Sequence, residues 1–262
     1  MLRSLFGKTL HERGKSLFWW CLGVGLTVIM FIAVYPSVAH MPNIDKFLEA
    51  YPEAMRKIFG IQDFGSGPGY LNSEMMSMVA PIIFLVFAIG FGGGATSTEE
   101  ERKTIDLLAT LPISRVRIVV EKALAMLAGA LMIGIVMFAC VWLGGPLAGL
   151  HVSTANLAGA MLSQVLLGLA FGYLAMALGC LTGKRAFGVG AASGVAVACF
   201  VLYSLGTLTD AFYRKSTLFY QAVGYQPLSH GLDLSQAAIL AGFAALAFVA
   251  AVVAFKRRDL AT

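Results

Sequence analysis

Few residues in this sequence have a type and spacing suited to covalent chemistry. Gly7-Lys8-Thr9 and Gly14-Lys15-Ser16 look like the end of a phosphate-binding loop. Such a loop also needs a glycine five positions before its Gly-Lys pair, so that the backbone can wrap the phosphates. Leu2 and Thr9 occupy those positions, so the chain is expected to bind no ATP by this route. Ser193, within Ala191–Gly194, would need a histidine base in reach to act as a nucleophile. The histidines are His11, His40, His151 and His230, and all fall outside the apolar runs. Cys21, Cys140, Cys180 and Cys199 fall inside those runs, where thiols usually serve as small packing groups. No catalytic, cofactor-binding or metal-ligating residue is therefore expected.

Charge gathers instead in one stretch, "GGGATSTEEERKTIDLLATLPISRVRIVVEK", from Gly92 to Lys122. Ser97 and Thr98 can start a helix there, and Thr98 with Glu101 fits a capping box. Glu99, Glu100 and Glu101 fill its first turn, where the helix dipole favours negative charge. Arg102 and Lys103 follow, while Thr104, Leu107, Leu108 and Leu111 line one side. Pro112 ends the helix, because the residue before a proline avoids the helical region. Ser114 can cap a second helix beginning at Arg115. The chemistry this suggests is non-covalent: a short amphipathic helix that a soluble partner can grip.

The elements that must hold this helix are membrane spans. The chain has 262 residues, 58% hydrophobic and 13% charged, with a mean hydropathy of +0.80. A soluble domain is nearer a quarter charged. Six runs are long enough to cross a bilayer: 17–37, 75–95, 119–143, 157–181, 187–209 and 235–255. Fourteen of the 19 Lys and Arg residues fall on the face holding both termini, residues 96–122 and Lys184-Arg185. Lys46, Arg56, Lys57, Arg214 and Lys215 fall on the other. The richer face is expected to be cytoplasmic. The net charge of +5 then reports topology and anionic lipid, and no nucleic acid is implied.

The expected fold is all-α: six spans, an N-terminal interfacial helix and a cytoplasmic helix between spans two and three. As one transmembrane domain over 1–262, it divides into 1–16 (interfacial helix), 17–95 (spans one and two, with outer loop 38–74), 96–118 (cytoplasmic loop), 119–255 (spans three to six) and 256–262 (tail). Leu2, Leu5, Phe6, Thr9 and Leu10 share one face at helical spacing, suiting a helix that lies in the interface. The apolar run after it is too long for a cleaved signal and is expected to be kept. Trp19 and Trp20 mark the headgroup level. Within 38–74, Ile44, Phe47, Leu48, Tyr51, Met55, Ile58 and Phe59 suggest a short amphipathic helix broken near Pro52. Residues 210–234 carry Phe212, Tyr213, Phe219, Tyr220 and Tyr225, which suits an interfacial or re-entrant segment. Gly90…Gly94, Gly168…Gly172 and Gly190…Gly194 are small-residue pairs that permit close helix approach.

The stretch "EEERKTIDLLATLPISRVRIVVEK" closely resembles the cytoplasmic loop of ABC-2 type permeases, the membrane subunits of ATP-binding-cassette exporters. Glu99, Glu100, Glu101, Thr104, Leu107, Leu108, Pro112, Ser114, Arg115 and Lys122 match that family's pattern, and Lys103 stands where glycine is common. "YPEAMRKIFG" and "FYQAVGYQPLSHGLD" are similar to its outer loops one and five. The resemblance implies a coupling helix built from Glu99, Glu100, Glu101, Arg102, Thr104, Leu107, Leu108, Leu111, Pro112, Ser114 and Arg115. It also implies two separate cytoplasmic ATPases that hold the ATP and Mg²⁺, a second permease copy or paralogue, and a bacterial inner membrane with both termini inside. The expected activity is export of an apolar or amphiphilic substrate, with no enzymatic activity of the chain's own. Two other readings are open: a six-span protein that recruits a partner but transports nothing, and an ion-coupled carrier. Against the carrier, the runs away from their ends hold mainly Ser163, Gln164, Tyr173, Ser193 and Ser204, and no carboxylate for coupling.

Overall fold

A computed structural model describes residues 5–40, 52, 56, 65–95, 114–209 and 211–258. Among them the regular structure is helical, with no strand. A short helix, α1 (Leu5–Glu12), precedes six helices long and apolar enough to cross a membrane. These are α2 (Gly14–Ala39), α3 (Gly67–Gly93), α4 (Arg115–Gly144), α5 (Thr154–Thr182), α6 (Arg185–Leu208) and α7 (Leu234–Arg257). Each contains one of the runs anticipated from hydropathy, apart from a frayed residue or two at an end. The outer-loop helix expected within 38–74 lies almost wholly outside the described residues.

Helix α5 is the hub. It packs against α3, α4, α6 and α7, and 67% of its apolar window is buried, against 22–28% for α2, α6 and α7. Its small residues explain why. A Cβ on Gly172 would stand 2.8 Å from the Ala88 Cβ, and one on Gly92 would stand 2.0 Å from the Gly172 carbonyl oxygen. Backbones this close forgo side chains, and in a bilayer such packing replaces the hydrophobic drive between helices.

Only Gly168…Gly172 among the three glycine pairs behaves this way throughout. Gly90 meets nothing within 4 Å, and Gly92 and Gly93 make the close approaches of α3 instead. Gly190 and Gly194 also meet nothing, so this pair packs no neighbour among the described residues. The spacing supplies a flat face but does not choose its partner.

Helix α3 starts about two turns earlier than its apolar run, with Ser66 as N-cap accepting from the Gly69 N–H at 3.1 Å. It then widens into a π-helical stretch, Asn72–Val79. Widening frees carbonyls from the α ladder. Ser77 Oγ donates to the Asn72 carbonyl at 2.6 Å, and Gln164 Nε2 of α5 donates to the Met76 carbonyl at 3.4 Å.

The connection before α7 divides its aromatics. Phe212 is exposed, whereas Phe219 is buried between Phe171 of α5, 6.3 Å away, and Phe200 of α6, 5.3 Å away. Phe200 is eight residues from the end of α6, so the segment reaches about 12 Å down the bundle at 1.5 Å per residue. Phe219 is therefore a core residue rather than an interfacial one.

Candidate functional site

Residues 96–113, where the charged helix was expected, lie outside the described residues. So do Glu99, Glu100, Glu101, Arg102, Thr104, Leu107, Leu108, Leu111 and Pro112. The two feet of that loop are described, and they are tied together. The foot on α4 is Ser114, extended at φ −67° and ψ 146°, with Oγ accepting from the Arg117 N–H at 3.3 Å. It caps α4 as its sequence suggests. The foot on α3 is Ala95, just past the last helical turn.

Lys122 joins the feet. Its side chain is buried, and Nζ donates to the Ala95 carbonyl. The last carbonyls of a helix have no intrahelical donor and carry partial negative charge. A buried ammonium answers both deficits, and the bond in turn offsets its own desolvation. Around it Ala95, Val119, Ala123, Met176, Cys180 and Phe255 form an apolar cluster shared by α3, α4, α5 and α7.

Glu121, the neighbouring residue, turns to α1. Its Oε2 accepts from the Phe6 backbone N–H at 2.8 Å, and its Oε1 accepts from Arg117 Nε at 2.6 Å. The carboxylate thus serves a first-turn N–H of α1, at the positive end of that helix's dipole. Leu5 and Ile118 pack together beside it, and Phe6 and Leu10 pack against the main core. The far end of α1 is held by Arg13, whose guanidinium lies 4.0 Å from the centroid of the Phe91 ring on α3. Helix α1 therefore bridges the two feet of the loop, one at each of its ends.

A third tie runs to the chain's end. Arg115 Nη1 donates to the Arg258 carbonyl at 2.6 Å, and Arg258 Nη1 donates to the Cys180 carbonyl at 3.4 Å. Ser114 thus caps the helix that begins at Arg115, as its spacing suggested. Glu121 and Lys122 were legible only as members of a charged stretch. One signal could have singled them out: two adjacent charges more than a turn inside an apolar helix must each find a partner.

Near the middle of α3 and α6 an apolar cavity of about 250 Å³ lies between them. Met78, Ile82 and Leu85 form one wall, Val197 and Phe200 the other, and Phe219 closes an end. Ser77 also borders it, but its hydroxyl is spent on the Asn72 carbonyl. Such a cavity suits an aliphatic or aromatic body rather than an ion.

In comparison with known proteins, the family model described as "ABC-2 family transporter protein" matches residues 3–260. No curated protein matches the chain.

Proposed function

The chain belongs to the ABC-2 transporter family, a family of multi-pass membrane permeases that work with ABC ATPase partners, and from that premise we propose that it is the permease of an exporter. Two cytoplasmic ATPase subunits bind and hydrolyse ATP with Mg²⁺, and the chain itself contributes no covalent step. A second copy or a paralogue completes the membrane unit. Both termini and the 96–118 loop face the cytoplasm of a bacterial inner membrane, in keeping with the excess of Lys and Arg there.

The observation that carries this reading is the clamp. Lys122 binds α3 to α4 at the base of the loop, while Glu121 and Arg13 tie α1 across both feet. A push on residues 99–115, the proposed coupling segment, would then reach α1, α3 and α4 together rather than bending one linker. The apolar lining of the α3–α6 cavity supports a substrate that is apolar or amphiphilic.

Inside-out vesicles carrying the chain and its ATPases test the direction and the energy source. ATP should drive uptake of an amphiphilic fluorescent dye, and a proton gradient alone should not. Uptake that persists without ATP would reject the reading.

A further inference from the structure

A second depression has no place in the coupling scheme. It is a groove of about 510 Å³ along α2, lined by Ser16, Trp19, Trp20, Gly23 and Thr27, with Ile83 of α3 as the opposite bank. The α2 residues follow helical spacing, so they form one continuous face. Trp20 makes the inner wall, edge-on to Phe87 of α3 at 5.8 Å. Gly23 is the floor, and nothing lies within 4 Å of where its Cβ would be. Thr27 Oγ donates to the Gly23 carbonyl at 2.8 Å, which leaves the deeper half without a free polar group. Polar chemistry sits at the mouth, lined by the exposed Ser16 and Trp19, and the next residue back, Lys15, is exposed.

We propose that this groove holds one anionic phospholipid of the leaflet at the basic end, with an acyl chain along Gly23 and Thr27 and its phosphate level with Lys15 and Ser16. The length suits an acyl chain. Ser16 to Thr27 spans about 16 Å at 1.5 Å per residue, which is close to one leaflet of a hydrocarbon core about 30 Å thick. Over that length the groove stays open along its outer side, as a shallow channel along α2. Charge selects the headgroup: Lys15 has no ion pair among the described residues, whereas Lys8 is paired with Glu12 at 3.7 Å. A lysine at the surface of an anionic leaflet is worth about 1 kcal/mol, and the indole of Trp19 suits the headgroup layer. The choice of an anionic lipid rests on the cytoplasmic assignment of this end; the groove's fit to an acyl chain does not.

Native mass spectrometry of the detergent-released protein, titrated with phosphatidylglycerol or phosphatidylcholine, tests it. The wild type should hold one phosphatidylglycerol per chain about fivefold more tightly than phosphatidylcholine. Gly23→Leu should abolish that retention, and Lys15→Gln should equalise the two lipids. Gly242→Leu serves as control, because Gly242 on α7 likewise has open space at its Cβ, and it should behave as wild type. Matched helical circular dichroism confirms folding of each variant. Undiminished lipid retention by Gly23→Leu overturns the proposal, as does loss of a dimer mass in that variant with lipid binding unchanged. Labelling of a Lys15→Cys variant from outside the cell would reject the orientation alone, and lipid retention would still report on the groove.

Discussion

The Lys122 ammonium donates to the carbonyl of Ala95, 27 residues earlier in the chain. One bond thereby closes the base of the loop that separates the second and third spans. Lys122→Met should remove a buried charge-assisted bond, leaving the Ala95 carbonyl without this donor. The expected loss is about 1.5–3 kcal/mol, seen as a lower unfolding midpoint in detergent, with Lys122→Arg intermediate. An unchanged midpoint in Lys122→Met would show that the feet are held by packing alone.

Glu121 should govern α1 more than the bundle. Its carboxylate serves the Phe6 N–H from 115 residues away, as a cap serves a helix start. Glu121→Ala should cost α1 about 1 kcal/mol, or roughly fivefold faster amide exchange over residues 5–12. The amides of α5 should exchange as before. Equal acceleration in both helices would mean that α1 is not a separately latched element.

Glycines of identical spacing should differ in consequence. A side chain on Gly172 meets the Ala88 Cβ at 2.8 Å and the Met126 Sδ at 2.9 Å, whereas Gly190 faces open space. Gly172→Val should cost about 1–3 kcal/mol by overpacking and reduce the yield of monodisperse protein. Gly190→Ala should leave the isolated chain unaffected. A tolerated Gly172→Val would place α3 and α5 further apart than the structure has them.

Asp233 should supply a small acid-sensitive contribution. Its carboxylate accepts from the Ser235 hydroxyl at 2.6 Å and the Ser235 N–H at 2.7 Å at the start of α7. The Ser235 hydroxyl, more than the backbone bond, holds its pKa below the usual aspartate value. A depressed carboxylate stabilises the fold above the unfolded pKa of about 3.9, and that contribution fades as pH falls through the lower native value. Asp233→Asn should flatten this part of the stability profile below about pH 4 without moving the midpoint at pH 7 by much. An identical acid limb in both proteins would assign the acid sensitivity elsewhere.

Much of this architecture was legible because it is local. Hydropathy marks a span without knowledge of its neighbours, and the face shared by Leu5, Phe6 and Leu10 marks α1. Ser114 was legible for the same reason, since a cap reads out within three residues. The rest depends on partners distant in sequence. Nothing near Glu121 points to Phe6, and nothing near Gly190 says that it packs on no neighbour among the described residues. Phe212 and Phe219 look alike in a loop rich in aromatics, yet only Phe219 finds Phe171 and Phe200. The widened turn at Asn72–Val79 departs from the 3.6-residue period on which helix patterns rest, so periodicity could not reveal it.

The central claim is that this chain borrows work from separate ATPases through the loop whose feet Lys122 joins. ATP hydrolysis retained on purified membranes, measured for wild type and for Leu107→Asp/Leu108→Asp, tests it most directly. The chain alone should hydrolyse nothing, the wild type should retain its ATPases with activity, and the double variant should leave them in the soluble fraction. Hydrolysis by the isolated chain, or undiminished retained activity in the double variant, would contradict the account.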